Sequence, residues 1–163
     1  MIDLYGKGLV GLANDSAATP RTLITPELFT RLTKRIAAEH PEHADIAEPI
    51  MEQTLAFLAA CAAHPTVRLA PSELVDLGWH AFVLYTREYA DFCHRVAGQF
   101  IHHVPDDTPD RPSSGSTASA TVTVMRDLGL PVINDLWSVK ANCEGKCKPD
   151  PCSQCHQGCT DSN

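Results

Sequence analysis

Between Thr25 and Gly98 the apolar residues recur at three- and four-residue spacing, and proline or glycine punctuates each run. That period belongs to amphipathic helices, not to strands, whose apolar residues alternate. Thr25-Pro26-Glu27 reads as a helix start, with Thr at the N-cap and Pro at the first helical position. Leu28, Leu32 and Ile36 follow on one face, with Phe29 beside it, and His40-Pro41 ends the run. A second helix is expected from about Ala44 to Ala63, with Ile46, Ile50, Phe57 and Cys61 as its stripe and Pro49 in its first turns. Pro71-Ser72-Glu73 opens a third segment carrying Leu74, Leu77, Ala81 and Leu84. Thr86 is a break and new N-cap, and Tyr89, Phe92, Cys93 and Val96 run to Gly98, a natural C′ glycine. The fold class is therefore mainly α: a small helical bundle.

The remainder divides by composition. Residues 1–20 read as an N-terminal arm, with Leu4, Tyr5 and Leu9 as its apolar contacts. The helical domain spans 21–105, and 106–120 is a linker dominated by Pro, Asp, Ser, Gly and Thr. Residues 121–140 hold one more helix near Val122–Leu128 and a return segment through Ile133 and Trp137. Trp79 and Trp137 suit core anchors. Residues 141–163 form a polar, Cys-rich tail with too few apolar residues to fold without a cross-link.

Net charge of −7 and scattered basic residues argue against nucleic acid as a partner. No stretch of about 18 consecutive apolar residues suggests a membrane span, and the first residues lack the pattern of a secretory signal. A cytoplasmic location is the expectation, where thiols stay reduced. Gly6, Gly8 and Gly11 spell Gly-x-Gly-x-x-Gly, but without a strand before and a helix after, nucleotide binding is rejected.

Five of the seven cysteines stand at 143, 147, 152, 155 and 159. A disulfide scaffold would spread its cysteines along a short secreted chain. Here Cys152 and Cys155 form a CxxC, and Cys143 and Cys147 add a second pair, which together give four thiolates for a tetrahedral ion. Cys159 or His156 is a spare ligand. Zn2+ is the first expectation and an Fe–S cluster the rival. The bland alternative is an unstructured end with reduced, idle thiols.

A second concentration of ligand-type residues lies in the helices. Asp76 and His80 are four apart and share a helix face, as do Tyr89 and Cys93 on the next segment. His102 and His103 follow in an extended stretch, where neighbours point to opposite sides, so only one of them easily joins a common site. Imidazole and thiolate suit zinc, iron or copper, and a carboxylate beside a ligating His commonly orients its ring. The expected roles are metal binding or reaction at His80 and Cys93, orientation of His80 by Asp76, and substrate hydrogen bonding by Tyr89. The bland alternative makes Cys93 a buried core residue and Asp76–His80 a simple hydrogen-bonded pair. His40, His43, His64 and His94 are set aside as cap or solvent residues.

The strings Val75-Asp76-Leu77-Gly78-Trp79-His80, Tyr85-Thr86-Arg87-Glu88-Tyr89, Asp91-Phe92-Cys93 and Gly98-Gln99-Phe100-Ile101-His102-His103-Val104-Pro105 resemble the glycine-rich-domain-containing protein family. The likeness spans roughly 44–105 and is nearest to short actinobacterial members with a similar Cys-rich tail. It implies a helical domain and a polar cluster of His80 and Cys93 with His102 or His103, and brings no activity with it. The chain departs from the pattern at Phe82, where many relatives carry a second His, and lacks a glycine-rich region.

Two functions follow. One is a metalloprotein, either a metal-dependent enzyme or a metal-handling factor. The other is an interaction module in which a zinc-bound tail presents a surface and the 76–103 cluster is structural.

Overall fold

The structure, a computed structural model, describes residues 19–103 and 117–138. Residues 1–18 of the arm, most of the linker, and Cys143, Cys147, Cys152, Cys155 and Cys159 lie outside the described residues. The described residues are mainly helical, and no strand occurs among them.

Helix α1 spans Pro26–Glu39, and the Thr25 side chain accepts a hydrogen bond from Leu28 N at 3.3 Å. Its stripe of Leu28, Phe29, Leu32 and Ile36 is buried. The single helix expected from Ala44 divides into a 3-10 turn, Pro41–Ile46, and α2, Ala47–Ala63. Pro49 explains the division. It has no N–H to bond the Asp45 carbonyl, and its ring crowds that oxygen, so α-geometry can begin only just before it.

Helix α2 is the centre of the bundle, packed by α1 on one side and by the later helices on the others. Its residues 53–60 are buried without interruption. Among the described residues, Pro41–Ala63 is long and apolar enough to pass for a membrane span by length and composition alone. Its most apolar window is 67% buried inside the protein, so its apolar side chains serve packing between helices.

Helix α3, Glu73–Val83, starts at Ser72, whose hydroxyl accepts from Val75 N at 3.2 Å. It lies very close to α2 at Gly78. A Cβ there would overlap Thr54 Oγ1 and stand 3.1 Å from Thr54 Cβ and 3.2 Å from Ile50 Cγ2. Helix α4, Thr86–Ala97, is capped by Tyr85 rather than by the expected Thr86, because the Tyr85 carbonyl already accepts from Tyr89 N at 2.8 Å. Gly98 ends α4 with φ of 68°, a left-handed conformation natural only to glycine.

Helix α5, Ala118–Asp127, begins inside the segment assigned to the linker, since the Thr117 hydroxyl caps it at Ala120 N, 3.1 Å away. A one-turn helix, α6, Asn134–Trp137, follows. Buried polar groups bind this C-terminal portion to the bundle. Gln53 Nε2 donates to the Pro131 carbonyl at 3.1 Å, while its Oε1 accepts from Ile133 N at 3.0 Å and from Trp137 Nε1 at 2.7 Å. The Ser72 hydroxyl donates to the Leu136 carbonyl at 2.6 Å. Trp79 and Trp137 are both 6% exposed and flank Phe57, which makes them the core anchors expected of them.

Candidate metal centre

Helix α3 turns two different faces to its surroundings. Val75, Gly78, Trp79 and Phe82 point inward, and Asp76 and His80, one helical turn apart, look outward along its edge. Asp76 Oδ2 lies 3.6 Å from His80 Nε2. Asp76 has a nearer partner: its Oδ1 stands 2.7 Å from His103 Nε2. Spacing makes Asp76 the orienting group of His80, whereas its close bond is to His103.

His103 reaches this place because Gly98 turns the chain back over α3. The backbone from Gln99 onward is then held by Tyr89. Its hydroxyl accepts from Trp79 Nε1 at 2.8 Å and donates to the Ile101 carbonyl at 2.7 Å. Two residues on, the His103 ring sits over Trp79, with centroids 4.4 Å apart, and beside His80 at 4.5 Å. One ligand atom each from Asp76, His80 and His103 lies within 4.8 Å of the others. Side-chain exposure falls from 58% at His80 through 31% at Asp76 to 16% at His103, so the cluster is walled on one side and open on the other.

The other expected site residues fall elsewhere. His102 is exposed and packs its ring on Phe100, 4.9 Å between centroids. Of the two neighbouring histidines, His103 alone joins the cluster. Cys93 is fully buried on the inner face of α4, and the Asp76, His80 and His103 group does not include it. Tyr89 and Cys93 do share a face, but that face is the core side. The Tyr89 hydroxyl meets the indole of Trp79, the residue before His80, and both of its bonding directions are used within the protein. Its bond to the Ile101 carbonyl ties the 99–103 segment to the helices. Burial pushes the Tyr89 hydroxyl above the usual phenol range, with Trp79 opposing and Cys93 adding to the shift. Burial likewise pushes the Cys61 thiol up to about 12.

Phe82 is fully buried against Tyr89 and Phe92. It takes no part in the cluster. Nothing in the spacing singles out Trp79 as the wall of the site, although its place beside His80 is plain in the sequence.

The fold and the site thus define a small helical bundle with a half-open Asp/His/His cluster at one edge. The chain belongs to the UCP032817-like family, whose model matches residues 20–119. That stretch holds Asp76, His80 and His103 and stops short of the five clustered cysteines. No curated protein and no solved structure matches the chain.

Proposed function

We propose that the protein binds one divalent transition-metal ion, zinc in the first place, through Asp76, His80 and His103. The convergence of their three ligand atoms within 4.8 Å carries this reading. Two imidazoles and one carboxylate form a donor set that zinc and iron(II) both accept. An ion with bonds of about 2.0–2.1 Å sets tetrahedral ligands about 3.3 Å apart. His80 Nε2 stands 3.6 Å from Asp76 Oδ2 and His103 Nε2 stands 2.7 Å from Asp76 Oδ1, so an ion that takes one Asp76 oxygen needs the carboxylate to turn until that oxygen faces both rings. Rotation of the partly exposed carboxylate supplies such a shift without moving backbone.

Three protein ligands leave a position for water or another small ligand, the arrangement of reactive sites rather than of closed structural ones. Once bound, the ion would act as a Lewis acid and make a bound water more acidic. The chain's own groups hold it: Asp76 supplies charge, His103 is the buried anchor, and His80 stands at the open face. The tail thiolates of Cys143, Cys147, Cys152, Cys155 and Cys159 form a second, separate zinc-type set in this proposal.

A second reading rests on the 2.7 Å contact itself. Asp76 and His103 would then be a closed pair that fastens the 101–103 segment to α3 in an interaction module without catalysis.

Metal analysis of the full chain tests the choice. A variant with the five tail cysteines replaced by serine is expected to keep one zinc, and to lose it on His103→Ala or His80→Ala. If the five-serine protein takes up neither zinc nor iron(II) in a titration, the metal reading fails and the closed pair stands.

A further inference from the structure

Residues 99–103 leave α4 in a stretch with no secondary structure, yet they deliver the most buried member of the candidate site. Among the described residues, the Tyr89 hydroxyl makes the one hydrogen bond that ties this stretch's backbone to the helices, at the Ile101 carbonyl. The only other polar tether in the stretch is the His103 side chain itself, on Asp76. An ion that takes both His103 and Asp76 as ligands would replace that bond. The Tyr89 bond would then be the one polar tether independent of the ion.

The same hydroxyl also governs the other wall of the site. It accepts the indole N–H of Trp79, whose ring lies under His103. His103 lies two residues beyond Ile101, so fixing that carbonyl anchors the backbone from which the imidazole projects. One buried oxygen therefore sets both the stretch that carries His103 and the surface on which its ring rests.

We infer that Tyr89 is a positioning residue of the metal site: its hydroxyl, bridging Trp79 and Ile101, presents His103 to the ion. This rests on the metal reading above and deepens it, since it names the support of one ligand. Groups that orient a ligand typically change metal affinity by about 10- to 100-fold. That factor is far smaller than the loss of a ligand and is confined to the ligand supported.

The test uses zinc and the full chain with the five tail cysteines changed to serine, followed by calorimetric titration. Tyr89→Phe keeps the ring and its packing and removes both hydrogen bonds. It is expected to weaken zinc binding by about 10- to 100-fold. Equal zinc affinity in Tyr89→Phe and its parent overturns the inference. A measurement on the unsubstituted ring serves if Tyr89→Phe loses its helix content. Coupling is reciprocal, so zinc must strengthen the bridge as the bridge strengthens zinc binding. Exchange of the Trp79 indole proton is expected to slow by about tenfold or more when zinc is added. Unchanged exchange in a protein that does bind zinc sinks the inference. A five-serine protein that binds no zinc instead sinks the metal reading, a different and recognisable result.

Discussion

Gly78→Ala places the closest helix contact and the candidate site under one test. In an open helix this change would stabilise the chain by about 1 kcal/mol, because alanine gives up less freedom on becoming helical. Gly78 is not in the open. The added Cβ would overlap Thr54 Oγ1, with Thr54 Cβ at 3.1 Å and Ile50 Cγ2 at 3.2 Å behind it. The Thr54 hydroxyl cannot swing aside cheaply. It sits 2.9 Å from both the Ile50 and the Val75 carbonyl oxygens, and its side chain is fully buried and branched at Cβ. Overpacking of this kind costs about 1–3 kcal/mol, and an overlap with a pinned atom belongs at the upper end. The net loss is then about 2 kcal/mol after the helix gain. For a domain of roughly 100 residues that lowers Tm by about 8–16 °C.

Thermal unfolding by circular dichroism reads the effect, and a second substitution identifies its cause. Thr54→Ala removes Oγ1 and should recover part of the Gly78→Ala loss, with a coupling of about 0.5–3 kcal/mol between the two positions. Since α3 also carries Asp76 and His80, pushing it off α2 should weaken zinc binding as well, and the double variant should restore it. A Gly78→Ala protein with the same or a higher Tm would refute the reasoning, because the helix gain would then be acting without opposition.

Three further outcomes are expected. Gln53→Leu leaves Ile133 N and the buried Trp137 indole N–H without their acceptor, and should cost about 2–6 kcal/mol at roughly 1–3 kcal/mol per unsatisfied donor; an unchanged urea midpoint would show that the 131–137 segment is not held by this amide. Gly98→Ala meets no atom within 4 Å but must adopt φ of 68°, so the loss of about 1–2 kcal/mol is one of backbone alone, and Gly98→Asn should lose less; equal stability of all three would refute it. Burial raises the Cys61 thiol from 9.0 to about 12 and the Tyr89 hydroxyl in the same direction, so above the ordinary pKa the unfolded chain releases protons that the folded chain keeps. Stability is therefore complete below pH about 9 and declines as pH rises towards about 12; urea midpoints that stay flat over that window, or a slope that Cys61→Ala does not reduce, would contradict the assignment.

What the sequence discloses here depends on how far apart the interacting residues are. Thr25, Ser72 and Gly98 act on backbone groups within four positions of themselves, and each is legible as a cap from the sequence alone. The 3.6-residue period assigns the inward face of α1 because burial of a stripe is also a local matter. Gln53 works across about 80 residues, and a single amide in an apolar run gives no periodic sign of its partners. Gly78 reads as a weak helix residue until Thr54 is seen against it.

The candidate site lies between these cases. The helical repeat pairs Asp76 with His80, and the alternation of an extended stretch limits the third member to one of His102 and His103. Spacing alone cannot say which way the Tyr89–Cys93 face points. The answer comes from packing: α4 turns that face to the core because Phe92 lies on it too, and burying Tyr89 obliges its hydroxyl to find partners inside. Those partners, Trp79 and Ile101, belong to the two segments that bear His80 and His103. The need to satisfy one buried oxygen is thus what joins core packing to the geometry of the cluster.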